Sequence, residues 1–330
     1  ALIEEVTDEV LPDAWGGMMD AGDWDRRIQH LSATRWFLEL FEMIPDYCAG
    51  LDLDIPESGN HLPDVVDEGL WILDFFVRIQ EENGACSGGV EAAEHPAPGD
   101  TSWTEMIPIY AYAPEFWSTH QLVATAARAA WVLREIDPDR AAIYGQSALK
   151  GMAWAETEYA RALAAESPYP QHDGARAIRN LAALELYRLT GDADWHLVFE
   201  EDTVLADPQE AVATITQRDA LFVYQGLRAD LGRDAWKELA RQALVSDADR
   251  ALEYERNNAW SLVAATPERE MFIGFPAAPL DSHHLVRAHF ITGRSDYLDQ
   301  VYASTQFGLG ANPDNNVYIT GLGSKQLQWV

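Results

Sequence analysis

Two carboxylates on a glycine-bearing turn are the residues best suited to chemistry. Asp20 and Asp23 lie in the run Trp15-Gly16-Gly17-Met18-Met19-Asp20-Ala21-Gly22-Asp23-Trp24. Three residues apart on such a turn, they can converge on one small volume. One carboxylate then orients a water molecule while the other draws off its proton, which is what general-base hydrolysis requires. Taken as a bare Asp-x-x-Asp, the same spacing is more commonly a polar turn, or Asp23 capping the segment that follows. Spacing alone therefore does not choose between chemistry and structure.

The elements that must hold this turn are helical. Between Leu62 and Glu82, Val66, Leu70, Leu73 and Val77 recur at steps of four, three and four, one apolar stripe of a helix opened by Pro63. Similar stripes predict helices over Leu31–Met43, Phe116–Ile136, Arg140–Ala164, Gly174–Leu189, Glu210–Leu231, Asp234–Tyr254, Leu280–Ile291 and Asp296–Gly308, with a shorter one after Asp194. No strand-length stretch alternates with period two. The joints repeat: Leu189-Thr190-Gly191-Asp192-Ala193-Asp194-Trp195 is echoed by Ile291-Thr292-Gly293-Arg294-Ser295-Asp296-Tyr297, and more loosely by Leu231-Gly232-Arg233-Asp234-Ala235-Trp236. Each reads as a glycine ending one helix in the left-handed region and a polar residue starting the next. Asp137-Pro138 does the same with proline at the first helical position. The expected class is all-α, an array of antiparallel helix hairpins. Two irregular stretches interrupt it, Pro12–Arg27 and Asn83–Pro114, and long irregular segments inside a helical domain are where function is to be sought.

Composition narrows the partners. With 54 acidic and 23 basic residues the 330-residue chain carries −31, a field that repels polyanions, so nucleic acid is excluded as a partner. Neutral polysaccharide is compatible with that charge. No apolar run reaches the ~18 residues that span a bilayer. Ala1–Val10 lacks the basic-then-apolar layout of a signal peptide, and reads as a mature or trimmed start. Cys48 and Cys86 are too few for a disulfide framework and form no Cys-x-x-Cys pair.

The run Gly16-Gly17-Met18-Met19-Asp20-Ala21-Gly22-Asp23 resembles the Gly-Gly-x-x-Asp-Ala-Gly-Asp signature of glycoside hydrolase family nine, the cellulase family with an (α/α)6 barrel. Further resemblances follow in order: Leu62-Pro63-Asp64-Val65-Val66-Asp67-Glu68, the hairpin Glu185–Asp192, and Gly308-Leu309-Gly310-Ala311-Asn312-Pro313 followed by Val317-Tyr318-Ile319-Thr320-Gly321-Leu322-Gly323. Together they cover essentially the whole chain as one catalytic barrel domain, 1–330. The resemblance implies an inverting hydrolase of β-1,4-linked glucan, with Asp23 as general base and Asp20 positioning the water. It also implies a catalytic Glu beyond the last signature. No acidic residue follows Gly323 here, and about ten helices fall short of a barrel's twelve. The expectation is thus a barrel lacking its last helices and its acid. Met18-Met19 and Trp24-Asp25-Arg26-Arg27 depart from the cellulase pattern, which keeps an exo-acting β-glucosidase or glucosaminidase-like member open, as it does a non-catalytic sugar-binding barrel.

The second irregular stretch and its flank supply Glu91, Glu94, His95, Trp103, Tyr110, Tyr112, Trp117 and His120. Aromatic faces stack on the C–H face of a glucose unit, and imidazole bonds its hydroxyls. His95, Trp103, Trp117 and, in the last signature, Tyr318 are the candidate substrate contacts, with core packing the rival for each aromatic. Some relatives of this kind bind zinc through cysteine and histidine. Cys86, His95 and His120 offer a single thiolate, so no metal is expected. Calcium held by loop carboxylates has no recognisable motif here, and no cofactor is expected. An arginine of Asp25-Arg26-Arg27 should pair with a nearby carboxylate and fix the turn, with Arg26 an alternative substrate contact. The family's habit points to a secreted or periplasmic protein, and the oligomeric state is left open.

Overall fold

A computed structural model describes residues 6–20, 22–97, 99, 106–213, 216–256, 260, 282–319 and 321–325. The chain falls into two units, residues 1–202 and 203–330.

In the first unit a short strand β1 (Trp24–Arg26) precedes helices α1 (Leu31–Met43), α2 (Pro45–Cys48) and α3 (Asp64–Arg78). Strands β2 (Gly89–Ala92) and β3 (Ile109–Ala111) follow, then α4 (Phe116–Leu133), α5 (Pro138–Ala164), α6 (Asp173–Thr190) and α7 (Ala193–Asp202). Helix α4 packs against α5, α6, α1 and α3. It is apolar on nearly every side, as a helix surrounded by others must be. One charge enters that interior. Arg128 of α4 donates to Glu185 of α6 at 2.7 Å and to Glu39 of α1 at 2.9 Å. Both carboxylates raise the guanidinium's pKa against the opposing effect of burial, so the group is charged at every working pH.

The second unit holds α8 (Pro208–Ala213), α9 (Arg218–Gln225), α10 (Asp234–Arg256), α11 (Ser282–Thr292) and α12 (Ser295–Gly308). Its core gathers Ala248, Ala251, Leu252, Leu285, Ala288 and Tyr297.

The predicted joints form as glycine-ended hairpins. Gly191, Gly232 and Gly293 sit at φ 73°, 73° and 72°, and Asp137 caps α5 by accepting from Arg140 N at 3.1 Å. Two expectations need correction. The single helix foreseen over Glu210–Leu231 is two, because Gln217 adopts φ 54° and its side-chain oxygen accepts from Val204 N at 3.1 Å. Periodicity could not reveal a break fixed by that contact. The second correction is the sheet, in the antiparallel order β1-β2-β3. Strands of three or four residues are too short to show alternation. Twelve α-helices stand among the described residues where about ten were foreseen, the difference being the short α2 and the division of one foreseen helix into α8 and α9. No described helix is long and apolar enough to cross a membrane.

Candidate active site

The acidic turn is closed by its own backbone. Asp23 N donates to Asp20 O at 3.0 Å, and Asp20 N to Trp24 O at 2.6 Å, pairing residues 20 and 24 as an isolated antiparallel bridge. Gly22 within the turn has φ 80°, where a side chain is strained, and the space its Cβ would take is bounded by Pro96 Cγ at 3.3 Å. Both carboxylates therefore spring from one tight hairpin. The sheet then fixes it: Ala92 N of β2 donates to Asp23 O at 2.6 Å, and Trp24, Asp25 and Arg26 pair with Glu91, Val90 and Gly89.

The two carboxylates differ in surroundings. Asp20 is exposed, whereas Asp23 is half-buried with its Oδ1 out of solvent and without a hydrogen-bond partner among the described residues. A shielded acceptor of this kind is costly to leave unmade, and a water or ligand donor relieves it. An acceptor beside an open carboxylate is an arrangement that can grip a water and take its proton.

Two residues beyond Asp23, Asp25 is fully buried on β1, and its Oδ1 lies 2.9 Å from His30 Nδ1. The Asp25 carboxylate against the ring holds the His30 imidazole above its ordinary range; burial opposes this, and the charge of Asp20 adds to it. Arg27, rather than the exposed Arg26, meets the carboxylate: its Nε stands 3.6 Å from Glu115. Its guanidinium also lies 4.0 Å over the Trp117 ring and 5.3 Å from that of Tyr169.

The predicted substrate contacts fare differently. His95 is exposed, its Nδ1 is 3.0 Å from Pro96 O, and Pro96 touches Gly22, so the structure brings it next to the turn. Trp103 lies outside the described residues. Trp117 is only 9% exposed, covered by Arg27 and tilted against His172 at 4.8 Å, so it offers no free face for a sugar ring. Core packing won because Gly174 leaves room for that indole; a Cβ there would lie 2.7 Å from it. Tyr318 belongs to the second unit, where it is half-buried, edge-on to Phe307 and donating to Asp314 at 3.0 Å.

The zinc trio is not assembled. Cys86 and His120 are buried and His95 exposed, and among the described residues no group of three or more His, Cys, Asp or Glu is placed to hold a metal. His120 instead holds Glu156 through Nε2 at 3.0 Å, and Arg179 reaches the same carboxylate at 2.6 Å. Burial alone would raise Glu156, but these two partners bring it down to about 2. Sequence reading missed Asp25, His30 and Tyr169. The five-residue gap between Asp25 and His30 was a visible signal only in retrospect, because no regular element predicts that they meet.

Helix hairpins carrying a paired-carboxylate turn on a small sheet define a class of helical domains with an acidic site at their irregular loops. The model of the family described as glycosyl hydrolase family 9 matches residues 4–330, and the chain belongs to that family. The fold class is accordingly the all-α (α/α)6 type, all-α as the hairpins foretold and an (α/α)6 barrel as the family resemblance implied. Endoglucanase C of Cellulomonas fimi is 27% identical over 94% of this chain and 30% of its own length. A cellulose 1,4-beta-cellobiosidase of Acetivibrio thermocellus is 27% identical over 96% of this chain and 40% of its own. A metagenome-derived family 9 endoglucanase superposes with a TM-score of 0.76 at 25% identity, over 95% of this chain and 58% of that structure. The chain thus spans 30% to 58% of the length of these three proteins.

Proposed function

We propose that this chain carries the attack side of an inverting hydrolase of β-1,4-linked glucans. Asp23 is the general base and Asp20 positions the water. The observation that carries the reading is the shielded, unpartnered Oδ1 of Asp23 beside the exposed carboxylate of Asp20 on one closed turn. Water held between them loses a proton to Asp23 as its oxygen adds to the anomeric carbon from the face opposite the leaving group. Inversion requires space for that water, so the acid that protonates the leaving oxygen should stand roughly 6.5–9.5 Å from the base. Names of relatives support a β-glucan substrate, since one is an endoglucanase and another a cellobiosidase. We read residues 1–330 as part of one catalytic domain, because the family match runs without a break through both units. His95 remains a proposed sugar contact, as do Trp103 and Tyr318, and the family's habit supports a secreted or periplasmic location.

The experiment is Asp23→Asn, made in a form of the protein that includes the catalytic acid and hydrolyses β-glucan, checked for folding by circular dichroism and assayed on a soluble β-glucan, with the anomer of the first product read by NMR. Turnover should fall on the order of 10²–10⁴-fold, and the wild-type product should appear first as the α-anomer. A folded variant with normal turnover sinks the reading, and a β-anomer sinks inversion. Viscosity loss ahead of reducing-end release would mark internal cleavage, and the reverse order an exo action.

A further inference from the structure

Asp25 is a buried carboxylate that the steps above leave without a task. It is fully enclosed on β1, two residues past the base, with one oxygen against His30 and the other, Oδ2, lacking any hydrogen-bond partner among the described residues. A lone buried carboxylate is expensive unless a cation is near. His30, at the entrance to α1 with a quarter of its side chain exposed, is the ring that meets it at 2.9 Å. His30 N also approaches Asp25 Oδ1 at 3.4 Å, so the residue is tied by backbone as well as by ring.

Resting on the hydrolase reading, we propose that Asp25 and His30 are a positioning pair for the attack-side carboxylates. Asp25 anchors the imidazole from the strand that carries the turn, and so ties that strand to the entrance of α1. The pair thereby holds the strand from which Asp23 hangs two residues away, and with it the turn that carries both carboxylates. Neither residue touches substrate in this role.

Charged and titratable groups reach the pair from several elements. From the turn, Asp20 acts on His30, and from β1, Asp25 does. Ahead of β2, Cys86 is kept as the neutral thiol by burial first, then by the charges of Asp25, Glu115 and Glu81, so it supplies no counter-charge. At the end of β1, Arg27 is engaged by Glu115 and by the Trp117 ring. The cation available to Asp25 is thus His30. Because the folded ring holds its proton above the ordinary imidazole range, the pair's contribution is complete below the unfolded pKa and is lost as pH rises through the folded one.

The test has two readouts. The His30 ring is titrated by NMR in the wild type and in Asp25→Asn and Asp20→Asn. Asp25→Asn should return it toward 6.5, and Asp20→Asn should move it the same way by less. In parallel, kcat and KM of His30→Gln are measured against pH on a soluble β-glucan. Displacement of a reacting group by about 1 Å costs on the order of 10²-fold, so kcat should fall 10-fold to 100-fold with KM little changed. The wild-type loss of turnover on the alkaline side of the folded His30 pKa should also vanish. An unmoved His30 titration in Asp25→Asn overturns the pair, and should that variant not fold, a wild-type His30 titrating at the ordinary 6.5 does so. A wild-type kcat and alkaline limb in His30→Gln overturns the positioning role. Asp23→Asn separates the two levels: if it abolishes turnover while His30→Gln changes nothing, only this inference falls, and if it leaves turnover intact, both fall.

Discussion

Substituting Gly89 by alanine probes whether the small sheet is what holds the acidic turn. Gly89 begins β2 at φ 114°, and a Cβ built there would stand 1.8 Å from Asp25 O and 3.2 Å from Arg26 Cα. The backbone conformation alone costs an L-residue about 1–3 kcal/mol. The overlap is with main chain, so no side-chain rotation relieves it, and the strands must part where Asp25 pairs with Val90 and Arg26 with Gly89. Overpacking of this kind typically adds about 1–3 kcal/mol, for a sum of about 2–6 kcal/mol. Gly191→Ala is the control. It has φ 73° but nothing within 4 Å of its Cβ, so it carries the conformational cost of about 1–2 kcal/mol alone. Urea denaturation of the two variants gives the difference, and turnover on a soluble β-glucan gives the consequence for the site. Asp23 hangs two residues from Asp25, so a strand displaced by about 1 Å should cut turnover on the order of 10²-fold. If Gly89→Ala denatures with Gly191→Ala and hydrolyses normally, the turn is not held by this sheet and the reasoning fails.

Two further outcomes follow from the first unit. Trp117→Ala should lower stability by about 3–5 kcal/mol, read from the denaturant midpoint, because it empties a buried site and strips the surface on which Arg27 lies; unchanged stability would return Trp117 to the role of an open stacking platform. Glu156→Gln tests the sign of a linkage. The carboxyl is held at about 2 against an ordinary 4.5, so its contribution is full above 4.5 and lost as pH falls toward 2. The melting-temperature gap between wild type and variant should therefore close across that window, and a gap constant with pH would contradict the pairing with His120 and Arg179.

Much of the helical frame was legible because each signal was local. The apolar stripe at Val66, Leu70 and Leu73 has the helical period, and Gly191 and Gly293 stop helices through a conformation that other residues resist. The acidic turn was legible for the same reason: Asp20, Gly22 and Asp23 are neighbours. What escaped depended on contacts between distant segments. Gln217 breaks a helix by reaching Val204, and Trp117, a candidate sugar contact, is instead covered by Arg27, His172 and the bare Gly174, none of which is near it in the chain. The strands escaped because pairing of Arg26 with Gly89 is a property of two segments and leaves no period in either.

The presence of a sheet in so helical a chain follows from what the site demands. A carboxylate on an untethered loop samples many orientations, and each one away from the water is lost to catalysis. Here the turn is tethered on its C-terminal side by a strand only three residues long, and immediately past it Arg27 and Ile28 adopt φ 56° and 46°. Such conformations persist for non-glycine residues only where the surroundings leave no other choice. Arg27 N donates to Gly88 O at 2.6 Å while its guanidinium covers Trp117, and Ile28 is wholly buried, so main chain and both side chains are held at once. The strain sits at the exit of β1 toward α1, where relaxation would pull on the strand and through it on Asp23. The geometry of the acidic turn is thereby secured by the element that periodicity cannot see, and the buried core of helices supplies the anchor against which that strand is braced.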